Sequence, residues 1–199
     1  YQVDASSLEG YLYPDTYYLY HDSSPEIIID LLLSEFWKKF DENLQDRANQ
    51  LGFSVHEVVT LASIIEGEAM LDSERSTISS VYHNRLKINM KLQADPTVVY
   101  AMKRKANDFD LVVRRVLYKD LQINSPYNTY RKRGLPPGPI TMPDVSSIDA
   151  VLNAESHNYL YFVADPNKVG YHLFAITYEQ HLANRDIYIR WLNQSRIMR

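Results

Sequence analysis

The sequence predicts an α+β fold that is mainly helical and carries one small β-hairpin. Apolar residues recur at helical spacing over most of the 199 residues, and capping residues precede several of these stretches. Near the C-terminus, two short runs of aromatic and β-branched residues flank a turn-forming segment. The composition, 45% hydrophobic and 23% charged, is typical of a globular protein. One domain, or two closely packed subdomains, is therefore expected.

The first predicted elements are a short strand at residues 17–20 and a long helix at residues 25–51. Aromatic residues after a Pro-Asp turn favour the strand. Ser24 before a proline is typical of a helix start, and Gly52 is placed to end the helix.

Three helices are predicted in the middle of the chain. Ser54 and Glu57 form the capping-box pattern ahead of an apolar run that reaches Glu66. The next helix covers residues 72–88. Asp95, which precedes a proline, is predicted to cap the third helix, which extends to residue 103.

The C-terminal half is predicted to alternate between helices, a stiff loop and a hairpin. Helices are expected at residues 110–121 and 147–154. The hairpin pairs residues 159–164 with residues 171–176. A last helix, over residues 177–191, begins with another capping pattern.

The charge pattern and the composition exclude several classes of function. The net charge is -4 and the chain has no long basic run, which argues against nucleic acid as the main partner. Because there is no cysteine, a disulfide framework, a thiolate nucleophile and a cysteine metal site are impossible. No apolar run approaches the roughly 20 residues that cross a bilayer. Sixteen tyrosines suit stacking on sugars and at interfaces, although many of them can serve packing alone.

Glu66 is the candidate catalytic carboxyl. It stands at the end of an apolar helix, where water-poor surroundings would raise its pKa and suit it to general-acid chemistry. Its acidic neighbours are expected elsewhere: Glu57 belongs to the capping box, and Glu68 should lie at a rim because Gly67 is suited to ending or bending the helix. The alternative for Glu66 is a structural pairing with an arginine or a backbone amide.

A proline-rich loop over residues 124–142 is the candidate binding segment. It holds four of the nine prolines, which stiffen it, together with two glycines that permit close approach. Such a loop can present tyrosine and asparagine side chains to a ligand at low entropic cost, although a rigid connector is equally consistent with the pattern.

Seven motifs, taken in order, resemble the YceG-like (MltG) family of bacterial endolytic murein transglycosylases. They span nearly the whole chain and are Leu8-Glu-Gly-Tyr-Leu-Tyr-Pro-Asp-Thr-Tyr17, Leu61-Ala-Ser-Ile-Ile-Glu66, Asn84-Arg-Leu86, Leu92-Gln-Ala-Asp-Pro-Thr97, Ser125-Pro-Tyr-Asn-Thr-Tyr130, Gly134-Leu-Pro-Pro-Gly-Pro-Ile140 and Tyr159-Leu-Tyr-Phe-Val163.

This resemblance implies a lysozyme-like catalytic domain over residues 1–199 that cleaves the MurNAc-GlcNAc bond of peptidoglycan. Glu66 would act as acid and then as base, and the product would carry a 1,6-anhydroMurNAc end. Substrate contacts are expected from Gln93, Asp95, Thr97, Tyr127, Asn128 and Tyr130, with Asp95 also bracing the loop. No cofactor or metal is expected.

The resemblance also implies a location and partners. Members of the family act on the extracytoplasmic face of the bacterial cytoplasmic membrane, where nascent glycan strands and cell-wall synthases (penicillin-binding proteins) are the expected partners. They usually carry a membrane helix and a LysM-like subdomain ahead of the first motif, and we expect both to lie outside this chain.

Two alternatives stay open at the level of sequence. One is a hydrolase of lysozyme type that uses Glu66 and Asp95 as its two carboxyl groups. The other is a non-catalytic module that binds glycan through its tyrosines and the stiff loop, or that serves as a scaffold for cell-wall synthases.

Overall fold

The computed structural model describes residues 7–194 and has an α+β fold. Its elements in chain order are α1 Pro25–Lys39, α2 Glu42–Leu51, α3 Val55–Glu68, α4 Asp72–Lys87, α5 Asp95–Ala106, α6 Val145–Leu152, β1 Tyr161–Ala164, β2 His172–Ala175 and α7 Tyr178–Gln194. A single 3-10 turn at Asp120–Gln122 stands between α5 and α6. The predicted fold class is confirmed.

The core is built around α3. Eight consecutive residues of this helix, from Val58 to Ile65, are buried. Helices α4, α5 and α6 pack on it, and α4 and α6 also pack on each other. A helix that is apolar on every side must be covered on every side, which is why its neighbours surround it.

The capping predictions at the start of α1, α3 and α7 are confirmed. The Ser24 side chain accepts from the backbone of α1, and Ser54 and Glu57 form a reciprocal capping box on α3. At α7, Thr177 and Gln180 exchange the equivalent bonds, each at 3.3 Å. Each cap satisfies amides that the first helical turn leaves unpaired.

The predicted hairpin is also confirmed. Strands β1 and β2 are antiparallel, with Phe162 opposite Phe174 and Ala164 opposite His172. Helix α7 packs on both strands. The aromatic side chains of the hairpin reach the core, where Phe162 meets the ring of Tyr82 on α4 edge to face at 5.9 Å.

Three predictions of secondary structure are wrong. The helix over residues 25–51 is two helices, because Asp41 caps a new helix by accepting from the amide of Leu44. Residues 17–20 form no strand. Residues 110–119 form no helix: Val112 is 77% exposed, so the segment lacks the buried face that supports a short helix in water.

Within residues 7–194, no helix is long and apolar enough to span a membrane. The same part of the chain holds no group of three or more histidine, aspartate or glutamate side chains arranged to bind a metal ion.

Candidate active site

Glu66 is tied into the framework by three donors. Its carboxylate pairs with the guanidinium of Arg75 at 3.0 Å. The hydroxyl of Ser147 donates to it at 2.8 Å, and the amide of Asp144 donates at 3.1 Å. These partners belong to α4 and to the start of α6, so Glu66 joins three helices.

The surroundings of Glu66 fit the alternative given for it, a structural pairing. The sequence shows no local structural role for this residue, but the structure gives it the pairing with an arginine and a backbone amide that is the alternative. Both carboxylate oxygens already accept hydrogen bonds from the protein, and these bonds occupy three of the roughly four acceptor positions of an ionised carboxylate. The role of Glu66 in catalysis stays a prediction that this geometry does not favour.

Glu68, two residues further along α3, is partly exposed, as Glu66 is, but it has different neighbours. Burial, with the nearby carboxylate of Asp95 as the next cause, raises the pKa of Glu68 from 4.5 to about 7. The Tyr82 hydroxyl donates to Glu68 at 3.0 Å, and this bond, together with the charge of Arg85, opposes part of the rise. A carboxyl with a pKa near neutrality can give up a proton and later take one back.

Gly67 accounts for the close approach of α5 to Glu68, which lies on the wall of a cavity. Helix α3 does not end at this glycine but continues through Glu68. A Cβ atom at residue 67 would stand 2.8 Å from the Cβ of Pro96, so only glycine lets the start of α5 approach so closely. That approach brings Asp95 beside the carboxyl of Glu68.

Arg85 anchors the hairpin next to the site. Its guanidinium, on α4, donates to the carbonyl of Leu160 at 2.6 Å and to the carbonyl of Leu92, and it lies over the ring of Tyr161. Asn84 donates to the carbonyls of His157 and Tyr159. The Asn-Arg motif on α4 therefore fixes the chain that enters β1.

A cavity of about 200 Å³ opens at Glu68. Its wall consists of the α3–α4 connection, the hairpin turn and α7, and it is largely apolar and aromatic. The lining residues are Glu68, Met70, Ala164, Asp165, Pro166, Val169, Gly170, Tyr171, His172, Tyr188 and Trp191. The rings of Tyr188 and Trp191 are stacked at 6.0 Å. Flat aromatic faces of this kind suit the apolar faces of sugar rings.

Three of the six predicted substrate residues lie at this end of the molecule. Asp95 and Gln93 are exposed, and Tyr130 is partly buried. The hydroxyl of Tyr130 donates to the Asp95 carboxylate at 2.5 Å, so the predicted bracing by Asp95 is present. The expectation that Asp95 caps α5 is wrong, because Ala94 is the capping position and the carboxylate faces Tyr130.

Direct substrate contact by Thr97 and Asn128 is contradicted by their complete burial. The hydroxyl of Thr97 bonds that of Thr129 at 2.8 Å, and the Asn128 amide donates to the carbonyls of Leu121 and Ile123, both at 2.9 Å. Because their polar atoms are paired inside the protein, these residues hold the loop on α5.

Tyr127 is a packing residue at a different place. It is 7% exposed, and its ring lies against Tyr100 at 4.7 Å and under the guanidinium of Arg104 at 5.0 Å. It lines a second cavity beside the other end of α5, together with Lys105 and Ser125. Its predicted contact with substrate at the carboxyl is not favoured by this position.

Sequence reasoning missed the roles of Glu68, Tyr82, Glu74 and His172. The spacing of Glu66 and Glu68 on one helix was visible, but two residues turn the side chain by about 200°, which sends the two carboxyls to different neighbours. Only the identity of those neighbours separates the two acids. The one local signal was Gly67, a residue that permits close packing as well as helix termination.

The fold and the site together define a helical α+β protein with a carboxyl, Glu68, on the wall of a cavity lined by aromatic residues. The model of the YceG-like family matches residues 2–187, and the chain belongs to this family. It is similar to a putative YceG-like protein from Listeria monocytogenes of known crystal structure, with a TM-score of 0.78, 42% identity, and coverage of 88% of this chain and 55% of the other.

Two curated relatives carry the name endolytic murein transglycosylase. The relative from Bacillus subtilis (strain 168) is 42% identical over 188 residues, which are 94% of this chain and 49% of the relative. The relative from Streptococcus pneumoniae (strain D39) is 33% identical over 180 residues, 89% of this chain and 31% of the relative. The chain thus spans about half of the first protein and about a third of the second.

Proposed function

We propose that this chain is the catalytic domain of an endolytic peptidoglycan lytic transglycosylase. It cleaves the MurNAc-GlcNAc bond within glycan strands and leaves a 1,6-anhydroMurNAc end. Membership of the YceG-like family and the names of the curated relatives support this activity. The observation that carries the proposal is the Glu68 carboxyl, whose pKa of about 7 keeps it partly protonated at the mouth of an aromatic cavity.

We assign the acid and base roles to Glu68. Its proton passes to the glycosidic oxygen as the bond from that oxygen to the muramic C1 breaks. The resulting carboxylate then removes the proton of the C6 hydroxyl, whose oxygen attacks C1 and closes the anhydro ring. The proton that leaves Glu68 in the first step returns to it in the second, and no water is consumed.

The surroundings of Glu68 match the demands of both steps. The first step needs a protonated acid near neutral pH, which burial and Asp95 provide. The second needs water kept out, so that the C6 hydroxyl is the nucleophile, and the cavity wall is mostly apolar. Gln93, Asp95 and Tyr130 stand at the same end of α5 and are proposed to contact sugar hydroxyls or N-acetyl groups.

A hydrolase of lysozyme type is the second candidate, and one observation favours it. Asp95 lies close enough to Glu68 to raise the pKa of that carboxyl, so two carboxyl groups share the site. Asp95 accepts a hydrogen bond from Tyr130 and lies in the first turn of α5, and both facts support a bracing role for Asp95 over a role as second catalytic carboxyl. The mass of the product separates the two reactions, since an anhydro end is lighter by one water than a hydrolysed end.

The test uses purified, peptide-free glycan strands and mass spectrometry of the products. Wild type should release anhydro-ended fragments. Glu68→Gln should abolish turnover while strand binding persists. A non-catalytic glycan-binding module would differ from this already in the wild type, which would bind strands and cleave none. Glu66→Gln is the matched control, with the same change two residues away. Full activity of Glu68→Gln, with Glu66→Gln inactive, would return the catalytic role to Glu66.

The proposed substrate places the domain on the extracytoplasmic face of the cytoplasmic membrane, where peptidoglycan is assembled. There we propose that it acts on nascent strands next to penicillin-binding synthases, held by an anchor in the full-length protein. Co-purification of a synthase with the full-length protein, and its loss when this domain is deleted, is the measurement that checks the partnership.

A further inference from the structure

A second acidic residue and a histidine form a close pair on the wall of the same cavity. Glu74 lies in the first turn of α4, and His172 is the first residue of β2. The Nδ1 atom of His172 is 2.8 Å from one carboxylate oxygen of Glu74, and the backbone amide of His172 donates to the other at 3.1 Å. Their side chains are only 9% and 12% exposed, so the pair is largely sheltered from water.

This geometry fixes the orientation of the imidazole. A carboxylate only accepts hydrogen bonds, so the proton shared with Glu74 belongs to Nδ1 of His172. The ring is further held by Phe162, which meets it edge to face at 5.2 Å. Phe162 also packs on Tyr82, whose hydroxyl donates to Glu68. The contacts of Phe162 and Tyr82 therefore connect the imidazole of His172 to the carboxyl of Glu68.

The other ring nitrogen of His172, Nε2, takes no part in the contact with Glu74. His172 and Glu68 both line this cavity, and across residues 7–194 no protein group is hydrogen-bonded to Nε2 of His172. A sheltered imidazole with one nitrogen clamped and the other open is arranged for a ligand, in the way that an outer carboxylate orients a histidine in many sites.

We propose that His172 is a substrate-binding residue, whose Nε2 accepts a hydrogen bond from a hydroxyl of the sugar held beside Glu68, and that Glu74 is its positioning residue. This inference rests on the proposed function, because it assigns a contact to the sugar that Glu68 protonates. It gives the site a polar contact from the hairpin, in addition to those proposed for Gln93, Asp95 and Tyr130 at the N-terminal end of α5.

Two substitutions of His172 separate the roles of its two nitrogens. In His172→Asn the amide nitrogen occupies the place of Nδ1 and keeps a donor for Glu74, but nothing replaces Nε2. In His172→Gln the amide group reaches the place of Nε2, but the donor to Glu74 is lost. If His172 has only a structural role, His172→Asn should be the better tolerated substitution. If His172 binds sugar, His172→Gln should retain more glycan affinity than His172→Asn.

The experiment measures the affinity of peptide-free glycan strands in a Glu68→Gln background, in which strands bind without being cleaved. His172→Asn should weaken binding about tenfold, the effect of one lost hydrogen bond, with little change in the thermal unfolding midpoint. His172→Gln should bind more tightly than His172→Asn although its unfolding midpoint is lower. His83→Asn is the control, since His83 is hydrogen-bonded to the carbonyl of Val151 away from the cavity.

Unchanged binding by His172→Asn would overturn the inference, as would a His172→Gln that binds no better than His172→Asn, or equal weakening by His83→Asn. A failure of the proposed function looks different, because it appears before any of these variants is made. In that case wild type yields no anhydro product, or Glu68→Gln remains fully active.

Discussion

Two isosteric substitutions on α3, Glu68→Gln and Glu66→Gln, should change stability in opposite directions at neutral and alkaline pH. In the unfolded chain the Glu68 carboxyl loses its proton near pH 4.5, whereas in the folded protein it keeps the proton until about pH 7. Between these values the folded state binds more protons than the unfolded state, so stability falls as the pH rises. Glutamine carries no charge at any pH and escapes this penalty.

The magnitude follows from the shift in the pKa of Glu68 from 4.5 to about 7. One pKa unit corresponds to about 1.4 kcal/mol, so the full shift gives Glu68→Gln a gain of up to about 3 kcal/mol in the free energy of unfolding at about pH 8. At about pH 4 the carboxyl is protonated in both states, and the gain should vanish. The proposed function accounts for this cost, because an acid that keeps its proton near neutral pH needs a carboxyl away from water.

Glu66→Gln should do the reverse. Arg75 is 8% exposed along its side chain and loses its charged partner on α3 when Glu66 becomes neutral. The cost of a weakened, charge-assisted bond inside a protein is about 1–3 kcal/mol, and it should be present at about pH 8. The two variants differ from each other only in which of two neighbouring carboxyls is replaced.

The assay is denaturant unfolding of wild type and both variants at about pH 4, 6 and 8, at constant ionic strength. The expected result is a Glu68→Gln advantage that grows with pH and a Glu66→Gln deficit near neutrality. A Glu68→Gln protein that is less stable than wild type at about pH 8 would refute the reasoning, because it would mean that the carboxyl of Glu68 is not held in a water-poor place.

The remaining predictions concern the pH profile and the framework around Glu68. Asp95→Asn removes a charge that raises the pKa of this carboxyl, so the alkaline limb of kcat/KM against pH should move to lower pH. Tyr82→Phe removes a donor that stabilises the carboxylate, so the same limb should move to higher pH. Alkaline limbs that stay in place in both variants would contradict the assignment of Glu68. Gly67→Ala should cost about 1–3 kcal/mol in thermal or denaturant unfolding, because its methyl group meets the proline after Asp95, and an unchanged midpoint would argue against that contact. Thr97→Val should lower stability by about 1–3 kcal/mol and leave KM for glycan strands unaltered; a raised KM in a stable variant would restore Thr97 as a substrate contact.

Much of the local structure could be predicted because its causes are local. The caps at Ser24, Ser54 and Thr177 act on amides two or three residues away, and the hairpin follows from two strand-like runs joined by a turn. The same logic failed over residues 110–119, where an exposed Val112 shows that helical spacing without a covering partner is not enough. The apolar repeat also led to the wrong prediction of one helix in place of α1 and α2, because the repeat continues across the cap at Asp41.

The roles of the candidate site residues depended on distant contacts. Thr97 and Asn128 belong to motifs typical of the family, yet both are buried and hydrogen-bonded where the loop packs on α5. Asp95 and Tyr130 come from the same two motifs, and they lie near Glu68 with Asp95 exposed and Tyr130 partly buried. A motif fixes which residues are present, but burial decides which of them can reach a ligand.

The sequence by itself determined the fold class, the buried helix α3 and the family, since these follow from the spacing of apolar residues and from motifs in a fixed order. Only the tertiary structure distinguished the two carboxyls of that helix. Glu66 turns toward Arg75 and the start of α6, while Glu68 turns toward Tyr82, Asp95 and the cavity. The physical reason is that the proton affinity of a carboxyl depends on the water, charges and donors around it, and these come from parts of the chain that only folding brings together.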